Sequence, residues 1–86
     1  MMSHNRKKKR WATQVQQSVE FLHQIGVVWG DGKADNVLVD TENNAWLIDF
    51  GGGWTRGWVD ESLAGTYDGD KQAIDRIHAF LGLATP

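Results

Sequence analysis

Four polar residues have types and spacings that could do chemistry. Asp31, Lys33 and Asn36 lie in the stretch Trp29-Gly30-Asp31-Gly32-Lys33-Ala34-Asp35-Asn36, and Asp49 opens the turn Asp49-Phe50-Gly51, thirteen residues after Asn36. One tight loop thus displays a carboxylate, a cation two residues on and an amide three beyond that. Phosphoryl transfer calls for this set: a base for the attacking hydroxyl, a cation for phosphate charge, and oxygen ligands for Mg²⁺. Mg²⁺ takes one or two protein oxygens and completes its shell with phosphate and water, a demand that Asn36 and Asp49 meet. Singly, each carboxylate also has a plainer reading. Asp31 between glycines is a turn residue, and Asp49 after a strand caps the next segment of chain.

The elements between these residues must bring them to one edge. Trp11, Val15, Val19, Leu22 and Ile25 recur every three or four positions, one apolar stripe of an amphipathic helix. Gly26 stands where a left-handed C-cap ends such a helix. Val27-Val28-Trp29 reads as a short strand, Val37-Leu38-Val39 as a second and Ala45-Trp46-Leu47-Ile48 as a third. The last two flank the turn-rich Asp40-Thr41-Glu42-Asn43-Asn44 and are spaced as a hairpin, which returns Asp49 toward the loop of Asp31. Residues 49–69 are glycine-rich without apolar period and read as a long loop. From Asp70, an N-cap residue type, Ala73, Ile74, Ile77, Phe80 and Leu81 mark a last helix. Two helices and a small sheet make the fold class α+β.

Composition narrows the function classes. The 86 residues suffice for one small domain, and 41% hydrophobic with 23% charged side chains is ordinary for a globular chain. The absence of Cys excludes a disulfide framework, a thiolate metal site and a Cys nucleophile. The net charge of −2 hides an asymmetry: Arg6, Lys7, Lys8, Lys9 and Arg10 supply five of the nine basic residues, while all eleven acidic ones lie beyond them. Nucleic-acid readers line one face of the fold with cations; a basic tail on an acidic body predicts no nucleic-acid partner, and the run reads as a solvated, frayed terminus. No apolar run is long enough for a bilayer, so no membrane partner and an intracellular location, cytoplasmic or nuclear, are expected. His4, His23 and His78 are too scattered for a metal site, with His23 on the polar side of the first helix. Trp11 and Trp46 fit core positions, whereas Trp54 and Trp58 fall in the long loop.

The segment from Leu22 to Asp40, followed by Ala45-Trp46-Leu47-Ile48-Asp49-Phe50-Gly51, resembles the C-lobe of eukaryotic-type protein kinases: the helix before the catalytic loop, the loop itself, the hairpin and the magnesium-binding turn. The resemblance implies that Asp31 is the catalytic base, that Lys33 neutralises phosphate charge, and that Asn36 and Asp49 hold Mg²⁺, with ATP as phosphoryl donor and a protein hydroxyl as acceptor. Lys at this distance from the base is typical of serine/threonine kinases in that family. The similarity covers roughly residues 12–81 and implies a basic tail at 1–10, part of a kinase domain at 11–82 and a C-terminal tail at 83–86. Gly69-Asp70 resembles the start of the helix that anchors the C-lobe, whose Asp braces the catalytic-loop backbone; a plain N-cap is the alternative for Asp70.

The sequence also departs from that family. Trp29 and Gly30 stand where His and Arg usually precede the base, so switching through a phosphorylated loop docked on that Arg is not expected. Trp29-Gly30-Asp31 and Gly51-Gly52-Gly53-Trp54-Thr55 resemble a divergent kinase group common in fungi. The only Pro is Pro86, which leaves no Ala-Pro-Glu motif. Residues 1–21 offer neither a Gly-rich phosphate loop nor a strand Lys paired to a helix Glu. The expected partners are therefore a kinase N-lobe and a protein substrate, and catalysis by these residues alone is not expected. Two alternatives stand beside this reading: a small-molecule kinase resembling the aminoglycoside and choline phosphotransferases, in which Gly-Asp also opens the loop, and a non-catalytic kinase remnant that binds a partner through an apolar face.

Overall fold

The computed structural model describes residues 2–83; Met1 and residues 84–86, most of the expected C-terminal tail, lie outside the described residues. The first helix, α1, runs Met2–Gln24 and takes in the basic run, which is helical rather than frayed. Nothing between Met2 and Gln24 stops it: the span holds no Gly or Pro, and Arg and Lys are good helix formers. Its end is a Schellman cap. Gly26 takes φ 80°, its amide donates to the His23 carbonyl (3.1 Å), and the Val27 amide donates to the Leu22 carbonyl (2.8 Å). Ala12, Val15 and Val19 face the core, while Ile25, one residue past the helix, is exposed.

The strand expected at Val27–Trp29 does not form. The backbone donors there go elsewhere: the amides of Trp29 and Gly30 both donate to the Asp70 carboxylate, leaving one isolated parallel bridge between Gly30 and Gly52. The hairpin does form, with β1 (Val37–Val39) antiparallel to β2 (Ala45–Leu47) and Val37 opposite Leu47, Leu38 opposite Trp46 and Val39 opposite Ala45. Period-two alternation buries Ala45 and Leu47 and turns Trp46 outward at 59% exposed, against the core position expected for it. The Trp46 indole N–H instead donates to Asp40 Oδ2 (2.9 Å), and Asp40 Oδ1 accepts from the amides of Glu42 and Asn44, so one carboxylate organises the whole turn. α1 holds this hairpin through polar contacts. Gln14 Oε1 accepts from the Ala45 amide (2.7 Å), and the Trp11 indole donates to the Asn43 carbonyl (3.1 Å).

The second helix, α2, spans Tyr67–Phe80 and starts three residues before Asp70. Thr66 is its N-cap, accepting from the Gly69 amide (2.9 Å). Short 3₁₀ turns at Ala34–Asn36 and Glu61–Leu63 interrupt the two long loops. The core consists of Val15 and Val19 from α1, Ala45 and Leu47 from β2, Ile74 and Ile77 from α2, and Trp29, which is fully buried at their centre. Trp11, Leu22, Val37, Trp58 and Leu81 pack around it. Two helices against a two-stranded sheet are an α+β arrangement, as the sequence predicts. Among the described residues no helix is long and apolar enough to cross a membrane.

Candidate active site

The loop of Asp31 is hung on the first turn of α2. Asp70 is almost wholly buried, and its two oxygens accept from Trp29 N (2.7 Å) and Gly30 N (2.9 Å). It braces the loop backbone and is not the N-cap, since Thr66 fills that place. Gly32 settles the loop further: a Cβ there would lie 2.6 Å from Ala73 Cβ and 2.9 Å from the Trp29 ring, so only glycine lets the chain lie this close to α2. Buried Asn36 then closes the 3₁₀ turn. Its Nδ2 donates to the Asp31 carbonyl (2.8 Å), and its own carbonyl accepts from the Ile48 amide (3.0 Å). The residue before Asp49 is thereby tied directly to the loop that carries Asp31.

Asp49 sits where β2 ends, exposed, at φ 57°. A left-handed conformation costs an ordinary L-residue about 1–2 kcal/mol, and Asp tolerates it better than most. The surroundings hold it there: the Trp29 indole N–H donates to the Ile48 carbonyl (3.0 Å), and the Gly51 amide is shared between the carbonyls of Val28 (3.1 Å) and Trp29 (3.2 Å). On the other side of the loop, Asp31 Oδ1 accepts from the Thr55 hydroxyl (2.6 Å), and Lys33 Nζ lies 3.9 Å from Oδ2. Backbone bonds thus tie the loop that carries Asp31, Lys33 and Asn36 to the end of the hairpin that carries Asp49.

The donor set at this edge suits a hard cation. The Asn36 amide nitrogen is spent on the loop, which leaves Oδ1 as its ligating atom, and Asp49 contributes an exposed carboxylate. Among the described residues no cluster of three or more His, Cys, Asp or Glu could cage a metal. The Asn36 and Asp49 oxygens are both hard donors, the ligand type that Mg²⁺ takes alongside phosphate and water.

Three neighbours of the site are not apparent from the sequence pattern. His23, expected to be solvated, is half-buried, with Nε2 2.8 Å from Asp70 Oδ2 and its ring 4.4 Å from that of Tyr67. Thr55 reaches Asp31 across 24 positions of chain that include the whole hairpin, with no periodicity to announce it. Trp29 is the central core residue, although the sequence places it on a strand. Trp54 and Trp58 serve the loop's own folding: the Trp54 indole donates to the Val59 carbonyl (2.7 Å) beneath the Arg56 guanidinium, and the Trp58 ring packs 5.7 Å from that of Phe80.

The family model of the protein kinase domain matches residues 1–66, a span that holds Asp31, Lys33, Asn36 and Asp49. The chain belongs to the protein kinase family. Among curated relatives of this kinase chain, the serine/threonine-protein kinase PKH3 of Eremothecium gossypii is 38% identical over 76 residues, covering 88% of the chain and 9% of that protein. The hormonally up-regulated neu tumor-associated kinase of Mus musculus is 49% identical over 43 residues, 50% of the chain and 6% of the relative. Protein kinase C epsilon type of Rattus norvegicus is 46% identical over 41 residues, 48% of the chain and 6% of the relative. The kinase chain therefore spans less than a tenth of the length of each. No solved structure matches it.

Proposed function

We propose that residues 11–82 are the catalytic-loop and magnesium-turn section of a serine/threonine-type protein kinase C-lobe, which transfers the γ-phosphoryl group of ATP to a protein hydroxyl once an N-lobe section completes the nucleotide site. The observation that carries this reading is the junction of loop and hairpin end: the Asn36 carbonyl on the Ile48 amide, and the Gly51 amide on the Val28 and Trp29 carbonyls. These bonds bring Asp31 and Asp49 to the same edge. Names of the relatives support a protein acceptor over a small hydroxylated molecule. Leu38, Trp46 and Phe50 are large, apolar and more than half exposed at the outer side of the hairpin and its end, a surface on which the N-lobe section would pack.

In this reading Asp31 orients the acceptor hydroxyl and takes its proton, with Oδ1 the reacting oxygen once the Thr55 hydroxyl yields it. Lys33, held beside Asp31, offers its ammonium to the phosphate charge that develops during transfer. Asn36 Oδ1 and the Asp49 carboxylate would hold Mg²⁺, which when bound with ATP neutralises the phosphate oxygens. Gly51 and Trp29 keep Asp49 in its left-handed turn, so the backbone that carries the carboxylate is set before any ligand arrives.

The test is a transplant. Residues 11–82 replace the matching segment of the PKH3 relative, and γ-phosphoryl transfer to a Ser/Thr peptide is measured. The chimera transfers phosphate, and Asp31→Asn lowers its rate by about 10²–10⁴, the range for loss of a general base. A folded chimera without transfer, or one in which Asp31→Asn turns over normally, refutes the proposal.

A further inference from the structure

The loop of Asp31 and the segment after Asp49 meet through backbone and the Thr55 hydroxyl, with no ion pair between them among the described residues. The ion pairs among the described residues are His23–Asp70, Lys33–Asp31 and Arg76–Asp60, and none joins residues 29–36 to residues 49–56. Two glycines let the chains touch. Gly30, at φ 86°, pairs with Gly52, and a Cβ on Gly30 would lie 3.0 Å from the Gly52 carbonyl oxygen and 3.2 Å from its nitrogen, atoms of a main chain that cannot swing aside. Gly53, at φ 85°, lies against the base itself: its Cβ would stand 3.0 Å from Asp31 Cβ and 3.2 Å from Oδ2. The buried Trp29 indole spans the same gap to the Ile48 carbonyl, and the Thr55 hydroxyl closes the far end on Asp31.

We infer that Trp29, Gly30 and Gly53 are positioning residues that form a backbone latch, holding residues 49–55 against the loop of Asp31 in the unmodified chain. That the latched site is catalytic rests on the proposed function; the latch itself stands on these contacts. A side chain at position 30 forces the two main chains apart, frees the Gly51 amide and shifts the surroundings of the Asp31 carboxylate. Gly57 supplies the control: it has φ 95°, so Ala there meets the same backbone strain, but nothing lies within 4 Å of its Cβ.

The test uses the 86-residue chain, shown by mass to carry no phosphate. Amide hydrogen exchange is followed by NMR together with the ¹³C shift of the Asp31 carboxylate. The Gly51 amide is expected to be protected in the parent chain. Gly30→Ala speeds its exchange by about tenfold or more and moves the Asp31 signal. Gly57→Ala leaves both near the parent values even where it lowers the melting temperature. If Gly30→Ala fails to fold, Trp29→Phe keeps an aromatic ring in the core, removes the indole donor along with part of the ring's volume, and is expected to speed exchange at the same amide. An unprotected Gly51 amide in the parent chain overturns the inference. So do parent-like exchange in Gly30→Ala, or in Trp29→Phe where that variant stands in, and equal loosening by Gly57→Ala. None of these readouts involves nucleotide, so an inactive chimera would refute the proposed function without touching the latch.

Discussion

Removing the Asp70 carboxylate should cost the chain much of its stability. Asp70→Ala leaves the buried amides of Trp29 and Gly30 without acceptors and strips His23 of its partner. A hydrogen bond to a charged group contributes about 1.5–3 kcal/mol, and a buried donor left without a partner incurs its full desolvation cost. Two such amides put the loss at about 3–6 kcal/mol, overlapping the roughly 3–5 kcal/mol seen when one member of a buried charged pair is removed. A domain of this size holds about 4–13 kcal/mol in total. The assay is urea unfolding followed by Trp fluorescence, since Trp29 sits in the core beside the perturbed bonds. At about 1–1.5 kcal/mol per molar urea, the midpoint should fall by about 2 M or more. Asp68→Ala, in the same helical turn but exposed, should stay within about 0.5 kcal/mol of the parent. A loss below about 1 kcal/mol for Asp70→Ala would refute the claim that this carboxylate suspends the loop.

Other predictions probe the loop, the hairpin and the chemistry. Gly32→Ala drives a methyl group into Ala73 and the Trp29 ring, and should destabilise the chain by about 1–3 kcal/mol in the same unfolding assay, as overpacking does. The Asp40 carboxyl is held below the usual carboxylate range by the Asn44 amide first, then by the Trp46 indole and the Glu42 amide. A lowered pKa stabilises the fold above the ordinary carboxylate value and loses that contribution as pH falls through the lowered one. The Trp46 indole N–H signal should therefore hold its hairpin position to below the usual Asp range and then shift on further acidification, while Asp40→Asn abolishes that step. Asp49→Asn should weaken binding of Mg²⁺–nucleotide to the transplant chimera with little change in its melting temperature, because the side chain is exposed and Asn also tolerates the left-handed backbone; unchanged Mg²⁺ dependence would remove Asp49 from the ligand set.

The parts of this structure that sequence reveals are those set by local spacing. The stripe of α1, the hairpin and the last helix follow from periodicities of 3.6 and 2, and the convergence of Asp31 with Asp49 follows from the length of the hairpin between them. The misreadings arise where a distant partner outbids local preference. Val27-Val28-Trp29 has strand composition, but the Leu22 carbonyl takes the Val27 amide, and Asp70, some forty positions away, takes that of Trp29. Trp46 looks like core by type, yet register puts it opposite Leu38 on the outer face. Asp70 resembles an N-cap by residue type, whereas Thr66 caps the helix and Asp70 turns inward. At the site, the four polar residues are visible in their spacing, while Thr55 and the close approach of Gly30 to Gly52 come from a loop whose path no pattern predicts.

The central claim, that Asn36 and Asp49 form a metal-nucleotide edge beside Asp31, is tested most directly by paramagnetic broadening. Mn²⁺ with ATP is titrated into the ¹⁵N-labelled chain, and amide signals, including the Asn36 side chain, are followed at substoichiometric metal. The account predicts broadening centred on Asn36 and Asp49, reaching the loop of Asp31 and lost in Asp49→Ala. Broadening centred instead on the exposed acids of α2, Asp68 and Asp75, or spread evenly over the surface, would contradict it.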